Sequence, residues 1–378
     1  MKCKNMKKKI LIFYISHYGH FYAARALERG FVEVVKDVSV EKINAFSYTN
    51  PILEKIVNKA YIEVIKKKPE LWGKMYDNPE VMKKTKKTRE ALHKFNMQKI
   101  KKLLDEYDPD AIFCTQAFPC GMVADYKKTC LKNIPLIGVL TDHAPHSYWL
   151  FDEVDYYIVP FKETKDVLIK KGVSSEKIKV YGIPVDPKFA IKKDSAEIKR
   201  KLHLDKDKHT VLVMGGSQGL GSMEEVTLSL LNSEKRKIQV VIITGSNKKL
   251  YTRLLRIINK NKWDDVYVLS YVENIDEFME AADIVISKPG GMTIAETLAK
   301  NLPMLIVDPI PGQERLNTDF LVKKGVAIEI KDHKSVDQLV DKVIYSKNTL
   351  SQMKKNILKL AKPNSVSDIA ELILGGAN

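Results

Sequence analysis

The sequence predicts an α/β protein of two doubly wound units, each a parallel sheet covered by helices on both faces. Short apolar runs of strand type alternate with helical stretches almost throughout the chain. The alternation stops once, in the charged stretch Lys192–Lys208 that follows Ile183-Pro184-Val185-Asp186-Pro187, and then restarts. Glycine turns stand at the ends of several strands, where a doubly wound sheet carries its ligand sites. At 378 residues the chain is long enough for two ordinary domains, and the break divides it into residues 1–187 and 188–378. The last helix is able to pack back on the first domain.

In the first unit, strands are expected at Ile10–Ile15, Val38–Ile43, Ala111–Cys114, Leu136–Leu140, Tyr156–Val159 and Lys179–Tyr181. Helical stretches lie between them, from Ala23 to about Lys36, Pro51 to about Lys66, Phe95 to Glu106 and Lys162 to Lys171. The second unit repeats the pattern with strands at Val211–Met214, Gln239–Thr244, Val266–Leu269, Ile284–Ser287, Met304–Val307 and Ala327–Ile330. Ligand is expected at the carboxyl ends of strands, in a cleft between the units. No solenoid repeat and no low-complexity tract is visible.

Hydrophobic content of 44% and charged content of 29% are those of a soluble globular protein. No apolar run approaches the ~18 residues of a membrane span. Lys2, Lys4, Lys7, Lys8 and Lys9 imitate the start of a signal peptide. The run Ile10–Ile15 is short, however, and leads into Ser16-His17 with no small-residue cleavage pattern, so the protein is expected to stay in the cytoplasm. Cys3, Cys114, Cys120 and Cys130 show no CxxC spacing, which argues against a disulfide framework or a zinc site.

A net charge of +16 points to an anionic partner. Basic residues cluster at Lys66-Lys67-Lys68, at Lys83, Lys84, Lys86, Lys87 and Arg89, at Lys99, Lys101 and Lys102, and at Lys127-Lys128. Leu71, Trp72, Met75, Tyr76, Val81, Met82 and Phe95 are interleaved with them and suit a lipid headgroup region. Basic patches attract nucleic acid or an anionic membrane, and the residues alone leave both open while their concentration between Lys66 and Lys102 favours an interface. Each lysine near such a surface is worth about 1 kcal/mol.

Ile284–Asn317 joins a strand, a glycine turn and a helix start in one βαβ unit. Gly290 and Gly291 let the backbone amides there, with those of Met292 and Thr293, approach a diphosphate at the positive end of the helix. Glu296 falls about one and a half turns into that helix, placed to accept from ribose hydroxyls. After the next strand, Gln313, Glu314 and Asn317 supply an amide, a carboxylate and a second amide, groups that suit a ring of hydroxyls. A second cradle, VLVMGGSQGLGS, places Gly216, Ser217 and Gly219 between a strand and a helix. Its spacing is neither G-x-G-x-x-G nor that of a P-loop. Two helix N-termini aimed at one anion make a metal unnecessary. Asp108-Pro109-Asp110, just before a strand, reads as a turn and not as a metal-binding pair.

In the first unit, Gly19-His20 falls at the turn after the first strand, and TDHAPHSYW, Thr141–Trp149, follows the fourth. A histidine with a pKa near neutrality suits a general base there. Asp142 and His146 are placed to orient His20 or an acceptor hydroxyl, and Trp149 to line a lipid entrance. His143 reads as structural.

The strings SKPGGMTIAE and PGQE, with Tyr18-Gly19-His20, TDHAPHSYW and Tyr181-Gly182-Ile183-Pro184-Val185, resemble the diacylglycerol glycosyltransferases of glycosyltransferase family 28. That family contains the processive diacylglycerol glucosyltransferases and the monogalactosyldiacylglycerol synthases. His17 stands where the family has its first glycine, and Asp186 where a basic residue is common. The resemblance covers nearly the whole chain and is weakest between Leu71 and Arg89. It implies a GT-B architecture, two Rossmann-like domains facing each other across a cleft, with the UDP-sugar on the second and the acceptor and base on the first.

The implied reaction is an inverting transfer of glucose or galactose from a UDP-sugar to the hydroxyl of 1,2-diacylglycerol, giving a β-glycolipid, with the glycolipid itself a further acceptor. No cofactor is implied beyond the UDP-sugar donor. His20 or Asp142 would be the base, and the enzyme would sit peripherally on the inner face of the cell membrane, its basic, aromatic segment from Lys66 to Phe95 docking on that anionic membrane surface and not on nucleic acid. The rivals are N-acetylglucosamine transfer to the lipid-linked peptidoglycan precursor, a UDP-sugar epimerase and a non-catalytic UDP-sugar sensor. The choice between the two hexoses, the number of sugars added and the oligomeric state are not legible.

Overall fold

The computed structural model describes residues 7–15, 19–75, 78–131, 133–231 and 238–374. The chain divides into two compact units, one made of residues 1–187, 310–313 and 364–378, the other of 188–309 and 314–363.

The first unit runs β1 (Lys8–Tyr14), α1 (Gly19–Val34), β2 (Val38–Asn44), α2 (Ala45–Thr49), α3 (Pro51–Lys67), α4 (Pro69–Met75), α5 (Pro79–Tyr107), β3 (Ala111–Cys114), α6 (Ala117–Cys130), β4 (Leu136–Val139), β5 (Tyr156–Ile158), α7 (Lys162–Lys170) and β6 (Ile178–Lys179). The strands form one parallel sheet in the order β2-β1-β3-β4-β5-β6. Both faces are covered, which is why β1 reads as an unbroken apolar run. Leu11, Phe13, Ile112 and Leu136 pack on one face with Ile100 and Leu104 of α5 and Tyr126 of α6. Ile10, Ile12, Phe113 and Ile137 pack on the other with Leu27 and Phe31 of α1.

From the sequence only the second half of α5, Phe95–Glu106, is expected. The structure extends it to 29 residues, because Asn78 caps its start, accepting from the Glu80 and Val81 amides, and Pro79 occupies the first turn. Its first half carries exposed Lys83, Lys84 and Lys87, so it lacks the apolar stripe that marks the rest. Asp108 ends the helix in the left-handed region at φ 49, and the Asp110 carboxylate accepts from the Lys9 amide at 2.7 Å. The Asp108-Pro109-Asp110 segment is thus the turn expected of it.

The second unit runs α8 (Ser195–Lys201), β7 (His209–Met214), α9 (Met223–Leu231), β8 (Ile238–Ile243), α10 (Lys248–Asn261), β9 (Val266–Leu269), α11 (Ile275–Ala281), β10 (Ile284–Ser287), α12 (Gly291–Ala299), β11 (Met304–Ile306), α13 (Gln313–Lys323), β12 (Ala327–Glu329), α14 (Val336–Ile344) and α15 (Lys347–Leu360). Its sheet is again parallel, in the order β12-β11-β10-β7-β8-β9. Helix α8 lies inside the charged stretch Lys192–Lys208, which carries no long apolar pattern. It is seven residues long, opens on an Asp194 cap and buries Ile198. Lys193 and Lys201 fasten this stretch, and Lys188 the residues just before it, to the buried carboxylates of Asp276 and Glu277 on α11. The Lys201 ion pair comes first among the contacts that hold Glu277 down at a pKa of about 2.

The last helix, α16 (Ser365–Leu374), belongs to the first unit and lies on α1. Gly30 allows the close approach. A Cβ there would stand 2.1 Å from Val366 Cγ1.

Candidate active site

In a doubly wound sheet the crevice opens where consecutive connections leave in opposite directions. In the first unit that point lies between β1 and β3, since the chain turns from β1 to β2 on one side and then returns to β3 on the other. Phe13 and Cys114 are in register there, so the segments leaving the two strands start level. Helix α1 begins at Gly19 and not at Ala23 as expected from sequence, which puts His20 in its first turn. His20 Nδ1 lies 2.8 Å from the Thr115 carbonyl and 3.3 Å from Thr141 Oγ1, while Thr115 Oγ1 donates to the His20 carbonyl at 3.0 Å.

A carbonyl only accepts, so Nδ1 carries the imidazole proton and Nε2 is the proton-accepting nitrogen. Burial lowers the His20 pKa to about 4, against the Thr115 bond, which raises it. The near-neutral value expected from sequence is thus corrected. At pH 7 the ring is neutral, and its basic nitrogen is available without prior loss of a proton.

The other residues of the Thr141–Trp149 segment separate in role. Asp142 is half-buried and accepts a hydrogen bond from the Gln313 amide, Gln313 being part of the short segment that groups with this unit. His143 packs beside Phe161, and its carbonyl accepts from Thr164, a structural placement. His146 stacks on Trp149 with 6.3 Å between centroids and meets Tyr148 edge-on. Trp149, expected at a lipid entrance, is 4% exposed and lies in the core, its carbonyl accepting from Tyr157 at 2.7 Å. A large ring after a strand fits either place, and here it lies over Gly138 of β4, where an added Cβ would stand 3.4 Å from Trp149 Cζ3.

In the second unit the reversal falls between β7 and β10, and both glycine cradles leave these two strands. Met214 and Ser287 are in register, so the cradles start side by side. Gly216 has φ +66 with nothing within 4 Å of an added Cβ, and Ser217 sits in a 3-10 turn whose carbonyl accepts from Ser246 at 2.9 Å. Gly219, φ +57, is pressed against β8, and a Cβ there would stand 2.1 Å from the Thr244 carbonyl. Gly290 is the N-cap of α12, with no side-chain cap and nothing within 4 Å of an added Cβ. The first-turn amides of Gly291, Met292 and Thr293 follow it, and half-buried Glu296 lies further along the same helix.

Glu314 pairs with Lys288 at 3.4 Å. Asn317, expected to read a sugar, is 1% exposed and donates its amide to the Pro289 carbonyl at 3.0 Å. It shapes the turn before α12 instead of presenting itself to hydroxyls.

Thr115, Thr141, Lys288 and Asp308 are the residues that sequence reasoning missed. Thr115 acts through a main-chain carbonyl, and Lys288 is one lysine in a lysine-rich chain. Among the described residues, no group of three His, Cys, Asp or Glu side chains is placed to hold a metal ion. Among them also, no helix is long and apolar enough to cross a membrane. Lys83, Lys84 and Lys87 are exposed on α5, with Phe95 69% exposed, and Ile52 and Ile56 are 73% and 60% exposed on α3. Tyr76 and the side chains of Trp72, Lys86 and Arg89 lie outside the described residues, as do Ser16, His17 and Tyr18.

Residues 20–185 match the family model of monogalactosyldiacylglycerol (MGDG) synthase, and residues 210–373 that of the glycosyltransferase family 28 C-terminal domain. The chain is 33% identical over 375 residues to a processive diacylglycerol beta-glucosyltransferase of Bacillus cereus (strain AH187), covering 98% of this chain and 94% of that protein. It is 31% identical over 373 residues to the protein of the same name in Bacillus subtilis (strain 168), covering 98% and 96%.

Among solved structures it is similar to Acinetobacter baumannii MurG, with a TM-score of 0.64 at 14% identity, covering 97% of this chain and 99% of that one. It is similar also to the S. aureus MnaA–UDP co-structure, with a TM-score of 0.63 at 16% identity, covering 98% and 97%. At these identities the likeness is one of fold, and the fold is GT-B, as expected from the sequence.

Proposed function

The chain belongs to the diacylglycerol glycosyltransferase branch of glycosyltransferase family 28, and from that membership we propose that it moves a glucosyl residue from UDP-glucose to the free hydroxyl of 1,2-diacylglycerol. It is a hexosyltransferase. Glucose is preferred over galactose because the full-length relatives are named for glucosyl transfer, whereas the galactose-named model matches only residues 20–185.

One observation supports the chemistry above the rest: His20 is neutral, oriented through Nδ1 by the Thr115 carbonyl, and so offers Nε2 as a base. In the proposed step Nε2 takes the proton of the diacylglycerol hydroxyl as that oxygen attacks the anomeric carbon. The bond from that carbon to the β-phosphate oxygen breaks, its electrons leave with UDP, and an α-linked donor yields a β-glycoside. Asp142 and His146 are proposed on the acceptor side. The first-turn amides of α12 stabilise the charge that develops on the departing diphosphate, and no cofactor takes part. Glu296 binds the ribose, while Gln313 and Glu314 read the sugar. The glycolipid product carries hydroxyls of the same chemical class, so a second transfer belongs to the proposal.

The acceptor lies in a membrane, and the exposed lysines of α5 with Phe95 suit docking on the anionic inner face. Incubating the protein with diacylglycerol in anionic vesicles and either UDP-glucose or UDP-galactose tests the reading. Hexosyl-diacylglycerol detected by mass spectrometry, with equimolar UDP release, is the expected result with UDP-glucose. No product with either donor removes the diacylglycerol assignment.

A further inference from the structure

The two glycine cradles of the second unit end differently. Helix α12 starts at Gly290 with no side-chain cap hydrogen bond. The start of α9 is taken by Asp308, whose Oδ2 accepts from the Ser222 amide at 2.7 Å. The other carboxylate oxygen, Oδ1, is 2.9 Å from His333 Nε2, on the 3-10 turn that follows β12. Asp308 itself leaves β11 with φ 44, a backbone conformation that non-glycine residues adopt at a cost of about 1–3 kcal/mol unless their surroundings hold them there. Gly221, φ +96, adjoins both groups: a Cβ there would be in ordinary contact, 3.4 Å from Asp308 Oδ2 and 3.5 Å from Lys288 Cδ. One carboxylate thus ties together the first cradle, the end of β11 and the His333 turn, with the stem of Lys288 alongside.

We infer that Asp308 is a positioning residue of the nucleoside-diphosphate half-site, holding the Gly219–Ser222 turn against the Lys288 side chain while reserving the α9 N-terminus for itself. This inference rests on the donor reading given above. It also changes the expected division of labour between the cradles. An anion at the start of α9 would meet a carboxylate that already holds its Ser222 amide. The diphosphate therefore goes to the uncapped start of α12, and the first cradle contributes its shape and the backbone around Gly216 and Ser217. Lys288, on the same loop as Gly290, is the cation beside that diphosphate, and its Glu314 partner is the group it exchanges for phosphate oxygens.

The experiment compares wild type, D308A and D308N by calorimetric titration with UDP and by donor KM and kcat, alongside thermal melting. Asparagine keeps the shape, since its carbonyl oxygen accepts from Ser222 and its amide takes the place of the carboxylate oxygen that faces His333 Nε2. Loss of the tether in D308A is expected to weaken UDP binding and raise donor KM about tenfold, an order of magnitude in line with losing a charged hydrogen bond. Turnover at saturating donor should stay within about threefold, and D308N should restore both values to within about twofold of wild type.

Should D308A not fold, H333A carries the test, since it removes one of the two tethers; a UDP affinity at least about threefold weaker is then expected. UDP binding that tightens in both Asp308 variants would overturn the inference, because the carboxylate would then act only as a repelling charge. A lowered melting temperature with unchanged UDP affinity would also overturn it, leaving a purely structural residue. Wild type that binds no UDP would remove the donor reading itself, and the inference with it.

Discussion

His20 Nδ1 and the Thr115 carbonyl meet at 2.8 Å where the sheet of the first unit reverses direction, one residue leaving β1 and the other β3. The bond fixes the imidazole tautomer, and burial keeps the ring neutral with a pKa of about 4. If Nε2 is the base, kcat/KM should be flat in pH from about 8 down to about 6, and its acid limb should titrate near 4 and not near the usual ~6.5 of histidine. A pH profile in detergent-dispersed diacylglycerol checks this. An acid limb centred between about 6 and 7 would contradict the placement of His20.

The same residue makes the protein sensitive to acid. Above about pH 7.5 the ring is neutral in both the folded and the unfolded chain and contributes no slope. As pH falls from there toward the folded pKa of about 4, the unfolded chain binds a proton that the folded chain refuses, so stability declines. His20→Asn keeps a donor to Thr115 and removes the titration. Urea midpoints at pH 7 and pH 5 should therefore differ less for the variant than for wild type, and an equal difference would show that His20 does not carry the effect.

Gly30 and Val366 are coupled through the packing of α16 on α1. Gly30→Ala places a methyl group against Val366 Cγ1 and is expected to destabilise the protein by about 1–3 kcal/mol through overpacking. Val366→Ala opens the space that this methyl needs, so the double variant should recover part of the loss, and strictly additive losses would argue against the contact. Denaturant unfolding of the three variants reads this directly.

Charge reversal at Lys83, Lys84 and Lys87 tests the docking surface, since all are exposed on α5. At about 1 kcal/mol per lysine near an anionic leaflet, the triple Lys→Glu variant should lose affinity for anionic vesicles by on the order of a hundredfold or more. Binding to neutral vesicles should change little, and UDP affinity not at all. Sedimentation with vesicles of each composition checks it, and unchanged binding to the anionic ones would move the membrane surface elsewhere.

The architecture was legible because parallel strands buried on both faces leave unbroken apolar runs, such as Ile10–Phe13 and Ile284–Ile286. Every expected strand is present, with ends shifted by one or two residues where main-chain pairing and side-chain pattern do not coincide. Helices announced by an apolar stripe were visible, while the lysine-rich start of α5 and the short α8 were not. In the site, glycines and His20 drew notice because their chemistry is rare at strand ends. Thr115 was silent, since its part is played by a carbonyl that every residue has. Trp149 and Asn317 read as ligand-facing because a large ring and an amide suit ligands, but the same groups suit a tight core and a buried turn, and burial cannot be read from one strand's pattern alone.

Whether His20 is the base of a hexosyl transfer is read most directly by pairing product formation with UDP binding in one preparation of His20→Asn. UDP affinity should stay within about twofold of wild type while hexosyl-diacylglycerol formation falls by at least about a hundredfold, the loss expected when a general base is removed. Transfer that persists within a few fold of wild type would contradict that role for His20 and pass it to another residue, Asp142 first.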